Sequence, residues 1–178
     1  EIIAGQFHDQ FLCDPIQGGA GTTANMNANE VIANRAIEIL GGKKGDYSIV
    51  HPNDHVNRAQ STNDVFPSAA KLTAAKLLKK AIAQLERLEA ALGQTEEEFH
   101  NIIKMGRTQM QDAVPIRLGS EFGAYRKAIQ RDLVRLNRAL EGMYAVNMGG
   151  TAVGTALNAN PAYVDARAPE LAKITGLP

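Results

Sequence analysis

The chain has 178 residues, enough for one domain with a real core, and its 19 lysines and arginines balance its 19 aspartates and glutamates. No global field therefore draws it to nucleic acid or to an acidic membrane surface, which leaves a small molecule or another protein as its partner. Cys13 is the one cysteine, which excludes internal disulfides and a thiolate zinc cluster, and His8, His51, His55 and His100 form no HExxH-type pairing, so no metal site is expected. No cofactor is expected either.

Residues 1–21 are short, mixed and glycine-ended. The opening EIIAGQFHDQ has neither the basic start nor the apolar centre of a signal peptide, and no apolar run reaches the length of a membrane span, so a cytoplasmic protein with no membrane partner is expected. The chain has no initiator methionine and stops at KITGLP, and it is expected to be an internal piece of something longer.

In IQGGAGTTANMNANEVIANRAIEIL, Gly18, Gly19 and Gly21 stand before Val31, Ile32, Ala36, Ile39 and Leu40, which recur near helical spacing. This pattern predicts a helix over 22–40, with Thr22 or Thr23 as its N-cap and Gly41-Gly42 as its stop. A glycine turn, hydroxyls and the positive end of a helix make an anion site, and they equally describe a capped surface helix with a flexible entry. GGAGTT lacks the P-loop lysine, which argues against a nucleotide.

The next stretch, GGKKGDYSIVHPNDHVNRAQSTNDVFP, reads as an extended loop with turns, and loops of that length are usually functional. From Pro67, well suited to a first helical turn, a helix is predicted over 68–99, with Leu72, Ala75, Leu78, Ile82, Leu85, Leu88 and Leu92 as its apolar seam. A second helix is predicted over 117–148, where Leu118, Phe122, Tyr125, Ile129, Leu133, Leu136, Leu140 and Met143 repeat at bundle spacing. Each would extend about 45 Å, longer than a compact domain of this mass is wide, so further helices must cover them.

Three segments are rich in small polar donors: GGAGTTANMN, HPNDHVNRAQSTNDVFPSA and KMGRTQMQDAVP. Each sits at the end of a predicted helix, where backbone N–H groups lack partners. Hydroxyl and amide donors hold an anion without a full countercharge and can grip harder as negative charge builds in a transition state. Singly, each segment has a plain reading: Ser-Thr-Asn-Asp as a cap with an Asx-turn, Arg107 as an ion-pair partner, and Asp112 as a cap ending the connection before the next helix. Their coincidence favours a site for carboxylates.

GGAGTTANMNANEVIANRA, HPNDHVNRAQSTNDVFPSA, GRTQMQDAVPIRLGSEF and GGTAVGTALN closely resemble the aspartase/fumarase superfamily, in the right order and through essentially the whole chain. The resemblance implies a mainly α fold, with long antiparallel helices of a central helical bundle and part of a small N-terminal domain. Residues 1–66 would be the C-terminal part of that N-terminal domain with active-site loops, and 67–178 the first bundle helices. It also implies a homotetramer whose active sites are shared between subunits. The implied reaction is a reversible anti elimination yielding fumarate: a base removes a proton beside a carboxylate, an aci-carboxylate forms, and amine or water leaves.

Class II fumarases typically read Gly-Ser-Gly-Thr, Ser-Ser-Asn-Asp and Gly-Arg-Thr-His where this sequence reads Gly-Ala-Gly-Thr, Ser-Thr-Asn-Asp and Gly-Arg-Thr-Gln. That combination is similar to the ammonia-lyase members, which implies L-aspartate and fumarate as substrate and product, with a class II fumarase as the close alternative. A non-catalytic helical assembly module, its polar loops serving only as caps, is the alternative from another class. By motif, Thr22, Ser61 and Thr62 would clamp the carboxylate that becomes the aci-carboxylate, and Asn63 would lie near the amino group. Thr108 would hold the other carboxylate, with Gln109, where the family commonly has His, beside the leaving amine. The family's base is a serine in Gly-Ser-Ser-x-Met-Pro-x-Lys-x-Asn. Ser48, Ser61, Ser68 and Ser120 form no such pair, so no catalytic base is expected among these residues. His51, Asn53 and Asp54 read as a stabilised turn, against a second anion site found in some fumarases.

Overall fold

The computed structural model describes residues 1–178, and the fold is mainly helical. The chain forms two compact units, one of Glu1–Leu72 with Val146–Pro178 and the other of Thr73–Ala145. No helix is long and apolar enough to cross a membrane.

In the first unit, α1 runs from Thr22 to Ile39. Its N-cap is neither threonine but Gly21, whose φ of 85° turns the chain into the helix with no side-chain cap bond. Only glycine suits this position, because a Cβ there would also strike the Phe66 ring. Asn25, Asn29, Ala33 and Ile37, four residues apart, form the buried face. Beyond Leu40 the left-handed Gly41 ends the helix, as its sequence predicts.

The expected extended loop contains a single π-helical turn, Pro52–Val56. The Val56 and Asn57 amides reach back five residues, to the carbonyls of His51 at 3.3 Å and Pro52 at 2.9 Å. His51 Nδ1 accepts from the Asn53 and Asp54 amides, each at 3.2 Å, so the imidazole caps its own turn.

α2 spans Thr62–Glu98 and starts ahead of Pro67. A capping box sets this start: Ser61 Oγ accepts from the Asn63 amide at 3.2 Å, while Asp64 Oδ1 accepts from the Ser61 amide at 3.0 Å. Pro67 therefore lies inside the helix and costs it one backbone bond. The first unit closes with a loop and α4, Pro161–Thr175, where Asn160 accepts from the Ala162 amide at 2.9 Å and Pro161 begins the helix.

In the second unit, the connection between the two long predicted helices, expected only as a donor-rich segment at a helix end, is an antiparallel hairpin, β1 (Ile103–Thr108) and β2 (Gln111–Arg117). Gln109 and Met110 both have positive φ, 50° and 60°, which turns the chain tightly between the strands. A bulge falls between Met105 and Arg107, where a Cβ on Gly106 would sit 2.8 Å from the Val114 carbonyl oxygen. Asp112 does not cap the connection; it lies in β2 and pairs with Arg107 at 3.1 Å.

α3 covers Leu118–Met143, ending before residue 148 because the chain leaves the helix at Tyr144. It runs antiparallel to the second-unit part of α2. Gly119 would meet the Glu96 carbonyl, Arg126 lies over Gly93, and Lys79 Nζ stands 5.7 Å from the Tyr144 ring. Arg126 donates to Glu89 at 2.7 Å and to Glu96 at 3.3 Å, and Gln130 also donates to Glu89. Of the two predicted seams, Ala75 and Ile82 are buried, whereas Leu88 and Tyr125 stay 44% and 57% exposed.

Candidate functional site

The start of α2 gathers a linked set of polar side chains in the first unit. Asp64 is 1% exposed, and while its Oδ1 accepts from Ser61, its Oδ2 accepts from the Thr151 amide at 2.9 Å. Ser68, also 1% exposed, donates to the Asp64 carbonyl at 2.6 Å and accepts from the Asn147 amide at 3.1 Å. Asn63 Nδ2 donates to the Ala152 carbonyl at 2.9 Å. One helical turn thus ties the GGTAVGTALN loop to the Ser-Thr-Asn-Asp segment.

That loop needs to be tied. Thr151, Ala156 and Asn158 have φ of 59°, 57° and 64°, and left-handed backbone is costly at a β-branched threonine. The buried Asp64 carboxylate holds the Thr151 amide against this strain. Tyr163 on α4 carries a buried hydroxyl without a hydrogen-bond partner. Burial, and secondarily the negative charge of Asp64, push its phenol above the ordinary value.

Between the two segments opens a cleft of about 690 Å³, lined among others by Arg58, Ser61, Thr62, Thr151 and Asn158. The Thr62 hydroxyl oxygen accepts from Asn25 Nδ2 at 3.1 Å, and the Ser61 oxygen accepts from the Asn63 amide. Both hydroxyls therefore keep their hydrogens for another partner. With the positive end of α2 behind them and the exposed cation Arg58 at the rim, the cleft suits an anion.

Thr22 is exposed and opens onto a different recess, with Leu12, Cys13 and Met26 among its lining residues. The structure thus brings Ser61, Thr62 and Asn63 together at one helix start, with Thr22 on the neighbouring α1. Thr108 and Gln109 belong to the second unit: Thr108 ends β1 opposite Gln111, and Gln109 enters the turn, both exposed. His51, Asn53 and Asp54 form the self-capped turn.

Of the polar residues that organise this site, sequence reasoning placed Asp64 only in the cap reading of Ser-Thr-Asn-Asp, without its bond to Thr151, and passed over Asn25 and Asn57. Asn57 Oδ1 accepts from both Asn25, at 3.3 Å, and Asn29, at 3.1 Å. The signals were present as the Ser-x-x-Asp spacing and as asparagines four apart on a face otherwise apolar.

A family described as Lyase matches residues 1–178. Aspartate ammonia-lyase of Bacillus subtilis (strain 168) is 56% identical over 178 residues, covering 100% of this chain and 38% of that protein. Fumarate hydratase class II of Methylorubrum extorquens is 46% identical over 179 residues, again with 100% and 38% covered. Among solved structures, a fumarate lyase:delta crystallin from Brucella melitensis bound to cobalt superimposes with a TM-score of 0.87 at 51% identity, over 99% of this chain and 38% of that one. The class II fumarase from Schistosoma mansoni gives 0.88 at 39% identity, over 99% and 37%. The chain thus spans 38% of the length of the curated relatives named here. With a lyase family matched from its first residue to its last and helix starts built to present hydroxyl donors, the chain belongs to the aspartase/fumarase family of lyases.

Proposed function

We propose that these residues supply carboxylate-holding walls of an aspartate ammonia-lyase, a carbon–nitrogen lyase that reversibly eliminates ammonia from L-aspartate to give fumarate. The observation that carries this reading is the pair Ser61 and Thr62, whose oxygens already accept from the protein and whose hydrogens are free to donate. As the proton leaves the carbon beside a carboxylate, negative charge moves onto that carboxylate, and fixed donors stabilise it most at that moment. Ser61 and Thr62, with Thr22, take the carboxylate that becomes the aci-carboxylate, and Asn63 faces the amino group. Thr108 holds the second carboxylate and Gln109 lies beside the departing amine.

All these groups are donors and none serves as the base; the resemblance to the family implies a serine on a Gly-Ser-Ser loop for that role. In this reading residues 1–66 belong to the N-terminal lyase domain and 67–178 to a helical bundle. The half-exposed seam at Leu88 and Tyr125 supports cover by further helices, as in a cytoplasmic homotetramer with shared sites.

A class II fumarase is the second reading, favoured by the 46% identity to such an enzyme. Ultraviolet assay of the intact protein separates the two. Fumarate from L-aspartate, with little hydration of fumarate, supports the ammonia-lyase, whereas malate formed from fumarate at a matching or greater rate overturns it.

A further inference from the structure

Buried amides on α1 stand behind the cleft, and their orientation is set from one end. Asn57 Nδ2 donates to the Gln60 carbonyl at 3.5 Å, a group that can only accept, so Asn57 Oδ1 turns toward α1. Asn25 and Asn29 must then offer N–H groups to that oxygen, at 3.3 Å and 3.1 Å. Asn25 is 6% exposed, and the same Nδ2 donates its second hydrogen to Thr62 Oγ1 at 3.1 Å.

A threonine hydroxyl can donate or accept, and water or a neutral ligand would meet it either way. Here the donor at its back removes that choice. We propose that Asn25 is a positioning residue that commits Thr62 to donating into the cleft, so that the hydroxyl selects an anionic carboxylate over a neutral acceptor-poor ligand. This rests on the functional reading above and extends it to a residue behind the site. Asn25 itself lies outside the residues lining the cleft and acts through Thr62.

The test is a double-substitution cycle in the intact protein, reading fumarate affinity by calorimetry. In Asn25→Asp the nearly isosteric carboxylate accepts from Thr62, turning its hydrogen away from the cleft. Thr62→Val should weaken fumarate binding about tenfold or more in the parent, the worth of a hydrogen bond to a charged group, and less than about twofold in the Asn25→Asp background. Charge repulsion from the new aspartate would lower affinity in both members of that pair and leave the Thr62→Val loss intact. An equal loss in both backgrounds therefore overturns the role of Asn25.

Asn25→Ala supplies a second background, in which Thr62 is free to turn. There the Thr62→Val loss should fall to about threefold, between the other two values, and an undiminished loss overturns the proposal even if Asn25→Asp does not fold. A purely structural asparagine would lower the melting temperature in both backgrounds without changing what Thr62 is worth to the ligand. Failure of the unaltered protein to bind fumarate overturns the functional reading and this role together; additive losses in a protein that binds overturn this role alone.

Discussion

Ser61 and Thr108 are both hydroxyls at the end of a regular element, and the protein treats them differently. Around Ser61 the donor set is assembled by the fold: Asp64 is buried beneath it, Asn63 and Asn25 fill the hydroxyl oxygens from behind, and the facing loop is bonded on. Thr108 sits at the mouth of a hairpin whose turn residues are exposed and left-handed, above an exposed Arg107–Asp112 pair. The first region has its orientation settled before a ligand arrives. In the proposed reading, the second would settle it on binding, at a cost in side-chain and backbone freedom.

The sharpest way to break this contrast is kinetic. Ser61→Ala should remove about 2–4 kcal/mol of transition-state stabilisation, read from kcat/KM in the intact enzyme. Its folding stability should fall by only about 1 kcal/mol, the worth of an N-cap. Thr22→Ala should lose catalysis on the same scale while barely changing stability, since Gly21 and not Thr22 caps α1. Unchanged turnover in folded Ser61→Ala would reduce its hydroxyl to a cap, and unchanged turnover in Thr22→Ala would remove Thr22 from the carboxylate clamp.

Next in size is a matched pair of aspartates. Asp64→Ala strips the partner from two backbone amides, Ser61 and Thr151, and should cost about 2–4 kcal/mol of stability. Asp112→Ala removes only an exposed ion pair and should cost less than about 0.5 kcal/mol. Denaturant titration of both variants checks the difference, and comparable losses would erase the distinction between the two regions.

What the sequence made legible follows the range of each interaction. α1 and its glycine stop were readable because Gly41 and the run of helix formers are local, but the apolar spacing picked the wrong face: Ile32, Ile39 and Leu40 are exposed, while Ala33 and Ile37 are buried beside Asn25 and Asn29; the long helices were readable from their seams. The start of α2 was misread because Pro67 is a strong local marker, while the capping box of Ser61 and Asp64 overrides it from six and three residues upstream. The hairpin escaped because Gln109-Met110 is not turn chemistry that composition announces; both residues adopt left-handed backbone without glycine. At the site, the hydroxyls were named from motif, Asp64 only within a cap, and Asn25 and Asn57 not at all. The roles of these last three depend on contacts such as Asn25 with Thr62 and Asp64 with Thr151, which no local window contains.

The hairpin turn also offers a smaller test. Met110 is 99% exposed and has a φ of 60°, so its side chain contributes little while its Cβ opposes the backbone. Met110→Gly should raise stability by about 0.5–1 kcal/mol, after allowing for the greater freedom of glycine in the unfolded chain. A loss of stability on thermal melting would mean that the exposed side chain holds the turn after all.

The smallest expected effect concerns pH and lies in the second unit. In the second unit, hydrogen bonds from Arg126 and then Gln130 hold the Glu89 carboxyl below its ordinary value of 4.5. Folded Glu89 therefore binds a proton less readily than unfolded Glu89. The stability it contributes is fully present above that ordinary value and is lost as pH falls through the depressed folded one. Arg126 is reciprocally raised by Glu89 and Glu96, so it stays charged throughout this window. Denaturant midpoints measured from neutral pH down through the carboxylate range should fall more steeply in the parent than in Glu89→Gln, which cannot titrate. Arg126→Leu should flatten the curve in the same way, because Glu89 then loses the partner that depresses it. Equal acid slopes in parent and Glu89→Gln would show that the Arg126 bridge joins two helices without contributing pH-dependent stability.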